Sequence, residues 1–485
     1  MAQAVGTRIC ETMHHPLYET LVSIVGTKYV KDDKHSLVPY SRDVGAHDTV
    51  TNGVIVIPKD KKQIAEIVKL ANRTGIPITL KGGGQAANGV TRGVPTQNIV
   101  IDTSRLDQVF NVDIENQKVT YAAGVRPIEL DHALRPYGYM VHTVLGPYYS
   151  VSMGGLLSGC SGGGYPKNMS SVGVNSRHVL GVEVVLPTGE ILHTGLGPDS
   201  NKYNEATYLR EVPGPDLTGL FIGQGGAFGI ITEITQRIYK IPTVSKSFGF
   251  LFDNLDDMWD AQMRLSEDTP FLFTNMIAHD MPTMRRFGVT LEGNDFGMFL
   301  CVESDNEEDA ALRVRRIEEV CLEKGRPADP SMDMYAAHGL TGSAMLVRDY
   351  SSEVTPFHSW EHLHPRAGAK EFILKLLNVY EQYEETNKKY KCGRVFYSLP
   401  IGNYMLLGIT LKWDDSIPGA GKHVLGIWEE GAELLKHEGT STTYCQSNNS
   451  NIIASAWTPV YYNTIKGLKK MLDPNNILCP GLWNL

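Results

Sequence analysis

The chain has 485 residues, of which 42% are apolar and 20% charged, and its formal net charge is −9. That length asks for two or three domains, and the composition excludes a disordered chain. A negative total without a long basic run argues against a nucleic-acid partner held through its phosphates. No run of about 18 apolar residues occurs, so no membrane span is expected. Arg8, Glu11 and two histidines stand where a secretory leader would be apolar. The seven cysteines form no CxxC pair and read as reduced thiols of a cytoplasmic protein.

In chain order, Leu17, Leu21 and Ile24 mark a short helical lead-in within 16–46. GVIVIP (53–58) reads as a strand ended by Pro58. Residues 59–75 read as an amphipathic helix, with Ile64, Ile67, Val68 and Ala71 on one face and Gly75 past its end. IPITL (76–80) is a strand, so 53–80 is β-α-β. Strands follow at 98–103 and 117–124, then a helix near 127–137. HVLGVEVVLPTGEIL (178–192) reads as two strands about a turn at Thr188 and Gly189. After Pro242 glycine thins out, and helices at 305–325 and 366–390 alternate with strands at 297–304 and 403–413. The tail, 465–483, reads as a helix, a turn at Asp473 and Pro474, and an extended end.

Three glycine clusters interrupt the first half: KGGGQAANG (81–89), SMGGLLSGCSGGGY (152–165) and LFIGQGGAFGIITEITQRI (220–238). GGGQAA satisfies G-x-G-x-x-A, and Asp102 ends a strand about twenty residues on, as in a Rossmann site. That motif needs a helix after the loop. Here the helix comes before it, and 87–98 holds two glycines and a proline and leads into a strand. A nest of backbone N–H groups can bind a phosphate pair without a helix. The bland alternative is a loop that only turns a corner. Three clusters, each flanked by strands, argue against that alternative.

This arrangement resembles the FAD-binding fold of the vanillyl-alcohol oxidase and p-cresol methylhydroxylase superfamily, including its D-lactate and glycolate dehydrogenase branch. The resemblance rests on YSRD (40–43), IPITLKGGGQAANG (76–89), SVSMGGLLSGCSGG (150–163), SVGVNSRHVLGVEVVLPTGEIL (171–192), DLTGLFIGQGGAFGIITEITQRI (216–238) and LDPNNILCPG (472–481). It implies an α+β chain with a bipartite FAD-binding domain over 1–242, whose core is about 50–242 and contains two α/β subdomains. A cap or substrate domain of α+β type follows over 243–445, and 446–485 returns to the FAD domain. By the same resemblance, FAD lies on Lys81, Gly82, Gly83, Gly84, Gln85, Ala86 and Gly89 of the first loop. The second loop adds Ser152, Met153, Gly154, Gly155, Ser158, Gly159 and Gly163. Val172 and Gly173 follow it, and Gly226, Gly229, Ile230 and Ile231 close the set.

Some relatives attach FAD covalently to a first-loop histidine; Gln85 stands there, which excludes that link. Others attach it through a histidine or tyrosine of the cap domain, which stays open as the alternative to the non-covalent FAD expected here. The hydroxy-acid branch carries H-x-G-D-G-N-x-H for a metal. The matching SLPIGNYM (398–405) has Ser398 and Met405 at the histidine positions and Ile401 at the acid, so no metal is expected. The branch's G-E-H-G also falls on other residues, near Tyr444 and Cys445. Tyrosines crowd the matching regions instead: Tyr148, Tyr149, Tyr165, Tyr397, Tyr404, Tyr444, Tyr461 and Tyr462. Phenol-oxidising relatives hold their substrate with tyrosines and an arginine, so Tyr397, Tyr444 and Arg348 are catalytic candidates, with Arg366 a further anion anchor. The bland reading of most of these is ordinary core tyrosine and surface arginine.

HSWEH (358–362) matches the H-x-x-E-H zinc pattern, but Pro356 and Pro365 leave room for barely two turns of helix. A cap helix with a partly buried histidine is expected there, with His358, His362 or His364 a candidate facing the substrate and His362 the one placed among the catalytic candidates. The expected activity is hydride removal from an alcohol or hydroxy acid to flavin N5. The alternatives are a para-substituted phenol substrate, or a flavin subunit that only relays electrons. The expected partners are a small organic substrate, aromatic ones included, and an acceptor that is oxygen, a quinone or an electron-transfer protein; a homodimer is compatible with this.

Overall fold

The computed structural model describes residues 14–41, 45–46, 53–84, 97–142, 149–159, 174–198, 209–210, 214–267, 272–280, 282–283, 296–329, 356–437, 441–442, 452 and 454–485. The fold is α+β. The first sheet contains β1 (Val30–Lys31), β2 (Val54–Val56), β3 (Ile78–Lys81) and β4 (Ile99–Asp102), in the order β1-β2-β4-β3. β2 and β3 each pair parallel to β4, so the expected β-α-β unit forms but β4 lies between its two strands. Its helix, Lys61–Thr74, starts where Asp60 accepts the Gln63 N–H. It ends at Gly75, whose φ of 70° is a left-handed stop. Ile64, Ile67, Val68 and Ala71 are buried, as their spacing predicts.

The second sheet follows. In chain order come β5 (Val109–Asp113), β6 (Lys118–Ala122), β7 (Tyr139–Met140), β8 (Val179–Val185), β9 (Ile191–His193), β10 (Ile230–Arg237) and β11 (Tyr239–Lys240). Five of these form an antiparallel sheet ordered β5-β6-β10-β8-β9, and β7 pairs with β11. One apolar core runs through both sheets and includes Val54, Ile101, Tyr121, Val184 and Ile234. The chain's end joins it. Ile78 donates its N–H to Ile477 O at 2.7 Å, and Cys479 donates to Ile78 O at 2.9 Å. The tail therefore extends the first sheet beyond β3. Its helix spans Pro459–Leu472, six residues earlier than the sequence suggests, because Thr458 caps it and Pro459 takes its first position.

The third sheet has eight antiparallel strands. They are β12 (Val244–Phe252), β13 (Asn275–Asp280), β14 (Phe296–Ser304), β15 (Arg326–Pro327), β16 (Phe357–Pro365), β17 (Gly393–Ile401), β18 (Tyr404–Lys412) and β19 (Ser441–Thr442), ordered β15-β12-β14-β13-β17-β18-β16-β19. Side chains alternate across it. Trp360, Phe396, Met405, Leu407, Ile409 and Leu411 enter one core with helices Leu255–Leu265, Glu307–Cys321, Ala369–Glu381 and Ala420–His437. On the opposite face Leu399, Ile401 and Leu406 are buried, and the partly buried Ile277, Leu363, Tyr397 and Val174 pack against them. Val174 precedes β8, so that second face meets the first half of the chain.

Candidate functional site

The first two glycine clusters meet backbone to backbone. A Cβ on Gly83 would overlap the Ser150 carbonyl oxygen, and one on Gly82 would overlap the Ser152 hydroxyl. Ser152 Oγ accepts the Gly83 N–H at 3.2 Å and the Gly155 N–H at 3.3 Å, tying the loops together. The second cluster is anchored from behind: Met153 N–H donates to Val125 O at 2.9 Å and Gly154 N–H to Ala123 O at 2.7 Å. Gly84 has φ of 70°, which turns the first loop at little steric cost because it is glycine.

Lys81 leads into that turn. Its Nζ lies 3.6 Å from Asp102 Oδ2 and 4.7 Å from the centre of the Tyr40 ring. Tyr40 donates its hydroxyl to Asp102 at 2.7 Å. Burial and the Asp102 bond push the Tyr40 phenol well above its ordinary value, so it stays a donor. The YSRD tyrosine is thus part of the support for Lys81, a role its sequence position alone did not reveal.

The third cluster braces the second. Gly223 and Gly225 donate N–H groups to Leu157 O and Ser158 O at 2.9 and 2.8 Å, and Gln224 Nε2 donates to Ser158 Oγ at 3.1 Å. Gly226 packs on Leu80 and Cys479, and a Cβ on Gly229 would strike Val184. Met153, Ile230 and Ile231 are buried in the core. The described residues of the expected FAD set therefore divide into two groups. Lys81, Gly82, Gly83, Gly84, Ser152 and Gly155 gather at the loop junction. Met153, Gly154, Ser158, Gly159, Gly226, Gly229, Ile230 and Ile231 lie on the short helix Met153–Gly159 and on the strand and turn that hold it. Gln85, Ala86, Gly89, Gly163, Val172 and Gly173 lie outside the described residues. A glycine junction closed to Cβ atoms, with a lysine ammonium beside it, suits the anionic diphosphate of a dinucleotide.

Tyr397 sits on the face of the third sheet that meets Val174. It lies flat across Gly408, where a Cβ would overlap its ring, and donates its hydroxyl to Glu361. The register explains the reach: Glu361 faces Gly408 on β18, and Gly408 faces Tyr397 on β17. The next row along holds Leu363, Leu406 and Leu399, so the polar pair borders an apolar strip.

His362 is a correction. HSWEH lies in β16, not in a helix. Strand alternation sends His358, Trp360, His362 and His364 to the helix-covered side and Glu361 to the other. His362 is fully buried, stacks edge-on to Phe372 with centroids 4.8 Å apart, and has no hydrogen-bond partner among the described residues. Burial, and secondarily His364, pushes its pKa down to about 3. An unfolded histidine titrates near about 6.5. As pH falls through that range the unfolded chain takes up a proton that the folded chain refuses, so stability is lost between about pH 6.5 and 3. His362→Leu should reduce the slope of stability against pH in this window by up to one proton, about 1.4 kcal/mol per pH unit. Denaturant titrations at several pH values check this, and an unchanged slope would place the ring elsewhere.

Arg366 is also structural: it donates to Met263 O, Ser266 O and Ser266 Oγ at 2.9, 3.1 and 2.7 Å, closing the end of helix Leu255–Leu265. The expected tyrosine cluster does not gather among the described residues. Tyr149, Tyr404 and Tyr461 are exposed, and Tyr462 donates to Asn484 O in the tail. Tyr148, Tyr165, Tyr444 and Arg348 lie outside the described residues. Ser398 and Met405 face the helices that cover the third sheet, Ser398 bonded to Gln262 at 2.9 Å.

Residues 53–195 match the family model described as FAD binding domain. The glycolate oxidase subunit GlcD of Bacillus subtilis (strain 168) is 26% identical over 239 residues, 49% of this chain and 48% of that protein. The chain thus spans about half the length of that relative. A D-lactate dehydrogenase of Anaerostipes hadrus is 24% identical over 463 residues, 88% of each chain. The crystal structure of p-cresol methylhydroxylase with substrate bound superposes with a TM-score of 0.80 at 18% identity, covering 96% of both chains. The matched model and the superposition agree: residues 53–195 carry an FAD binding domain, and the whole chain shares the fold of p-cresol methylhydroxylase.

Proposed function

We propose that this chain is an FAD-dependent oxidoreductase that removes a hydride from an alcohol or hydroxy-acid substrate, with FAD bound non-covalently and no metal clamp. One observation carries the proposal. The junction of residues 82–84 with 150–155 belongs to the same domain that the hydroxyl-bearing face of the cap sheet meets at Val174. Bound FAD supplies the two-electron acceptor. The chain's own residues do the rest. The glycine junction and Lys81 hold the diphosphate, the apolar strip of Leu363, Leu399, Ile401 and Leu406 excludes water, and Tyr397 orients a substrate hydroxyl. A phenol with a para substituent is the second reading, favoured by that apolar strip; a pure electron relay has no use for it. The seven unpatterned cysteines support work in a cytoplasm.

The test is anaerobic mixing of the yellow protein with hydroxy acids, sugars, simple alcohols and phenols. The flavin band should bleach with an alcohol, hydroxy acid or phenol, and prolonged EDTA treatment should leave the rate unchanged. Tyr397→Phe should slow bleaching by roughly 10²-fold, the effect of removing one hydroxyl aimed at developing charge. Activity lost to chelation and restored by zinc or manganese would replace this reading with a metal-dependent one.

A further inference from the structure

We infer that Glu361 is the proton acceptor behind Tyr397, and that the two form a relay serving an uncharged alcohol or phenol with an apolar body. This rests on the oxidoreductase reading above.

Four features of the cap sheet support it. The Tyr397 hydroxyl donates to the Glu361 carboxylate. The two residues stand two strands apart, farther than adjacent side chains bridge, and contact is made only because residue 408 between them is glycine. Glu361 is the one acid in β16 and points away from the helix-packed core that holds its neighbours Trp360 and His362. Both Glu361 and Tyr397 are only partly buried, so the pair is not sealed within the sheet. An ordinary core tyrosine would not need a glycine shelf to reach a carboxylate.

The chemistry follows. A neutral alcohol gives up its O–H proton to the Tyr397 oxygen as the Tyr397 proton passes to the Glu361 carboxylate. The substrate C–H bond breaks in the same oxidation, its hydrogen leaving with both electrons as hydride to the flavin, and the C–O bond becomes C=O. For a para-alkyl phenol the same two losses give a quinone methide. The carboxylate disfavours a second negative charge beside it, and the neighbouring row of Leu363, Leu406 and Leu399 suits an apolar body. A hydroxy acid, which brings its own carboxylate next to the reacting hydroxyl, fits this pair worse than an alcohol or phenol does.

The experiment uses FAD-loaded wild type, E361Q, Y397F and the double variant. The first readout needs no substrate. Ultraviolet difference titration of wild type against Y397F isolates the phenolate step of residue 397, and E361Q against the double variant isolates it without the carboxylate. Removing the negative neighbour should move that step to lower pH. The second readout is the pH profile of anaerobic flavin reduction by neutral alcohols and phenols. Wild type should show an acid limb, and E361Q should lose it and slow by roughly 10²-fold, a typical contribution of a positioned base. G408A should reproduce the titration shift by displacing the ring. An unmoved phenolate step, or an E361Q profile with the wild-type acid limb, would overturn the relay. A shifted phenolate step in a protein whose flavin stays oxidised with every compound would instead overturn the oxidoreductase reading, leaving the pair structural.

Discussion

Gly83→Asp should yield a folded protein that purifies without flavin. The new Cβ has no room, since it would overlap the Ser150 carbonyl oxygen, which is backbone and cannot swing aside. Overpacking of this kind costs about 1–3 kcal/mol. The added carboxylate also brings a negative charge to the junction proposed to hold the diphosphate, a like-charge repulsion worth about as much again. Together they weaken FAD binding by roughly 10²-fold or more. Gly83→Ala carries only the steric part and should lose less flavin. Absorbance near the flavin band gives occupancy and circular dichroism reports folding. A Gly83→Asp protein with full occupancy would remove this loop from the cofactor site.

Lys469→Met should produce the largest loss of stability. Lys469 and Asp473 are both buried and paired at 2.6 Å, one helical turn apart. The same ammonium donates to Ala227 O at 2.9 Å and Leu478 O at 2.7 Å, joining the third glycine cluster, the last helix and the tail strand. Asp473 in turn accepts the N–H groups of Ile477 and Leu478 at 3.0 and 2.9 Å. Removing one partner leaves a buried, uncompensated charge, which costs about 3–5 kcal/mol. The denaturant midpoint of the first half should fall accordingly, and Asp473→Asn in the same protein should restore part of it. An unfolding free energy within about 0.5 kcal/mol of wild type, the range of an ordinary surface substitution, would contradict the buried geometry.

Much of this was legible in the sequence, for local reasons. The helix Lys61–Thr74 announces itself by an apolar stripe with Asp60 and Gly75 at its ends. Strands such as Phe296–Ser304 and Tyr404–Lys412 follow from short apolar runs. The glycine clusters mark where backbones meet, because only missing Cβ atoms permit it. What failed was long-range. HSWEH fits a helical ligand spacing, but FHSWEHLHP also alternates with period two, and that period wins, burying His358, Trp360, His362 and His364 on one side. A helical spacing gives Glu361 no distinct role, because its partner Tyr397 lies on another strand. The register of β16, β18 and β17 that brings Glu361 over Gly408 to Tyr397 comes from strand pairing across dozens of residues, which no local pattern encodes. The insertion of β4 between β2 and β3 was hidden for the same reason. Arg366 looked like an anion anchor because its partners, the carbonyls at 263 and 266, carry no side-chain signature.

The central claim is that one FAD lies between the glycine junction and the Tyr397 face of the cap sheet. A crystal structure of the protein saturated with FAD tests it most directly. The diphosphate should lie against residues 81–84 and 152–155, with the isoalloxazine ring facing Tyr397 and Leu399. Flavin density with its ring turned away from the cap sheet, or a diphosphate held elsewhere on the chain, would contradict it.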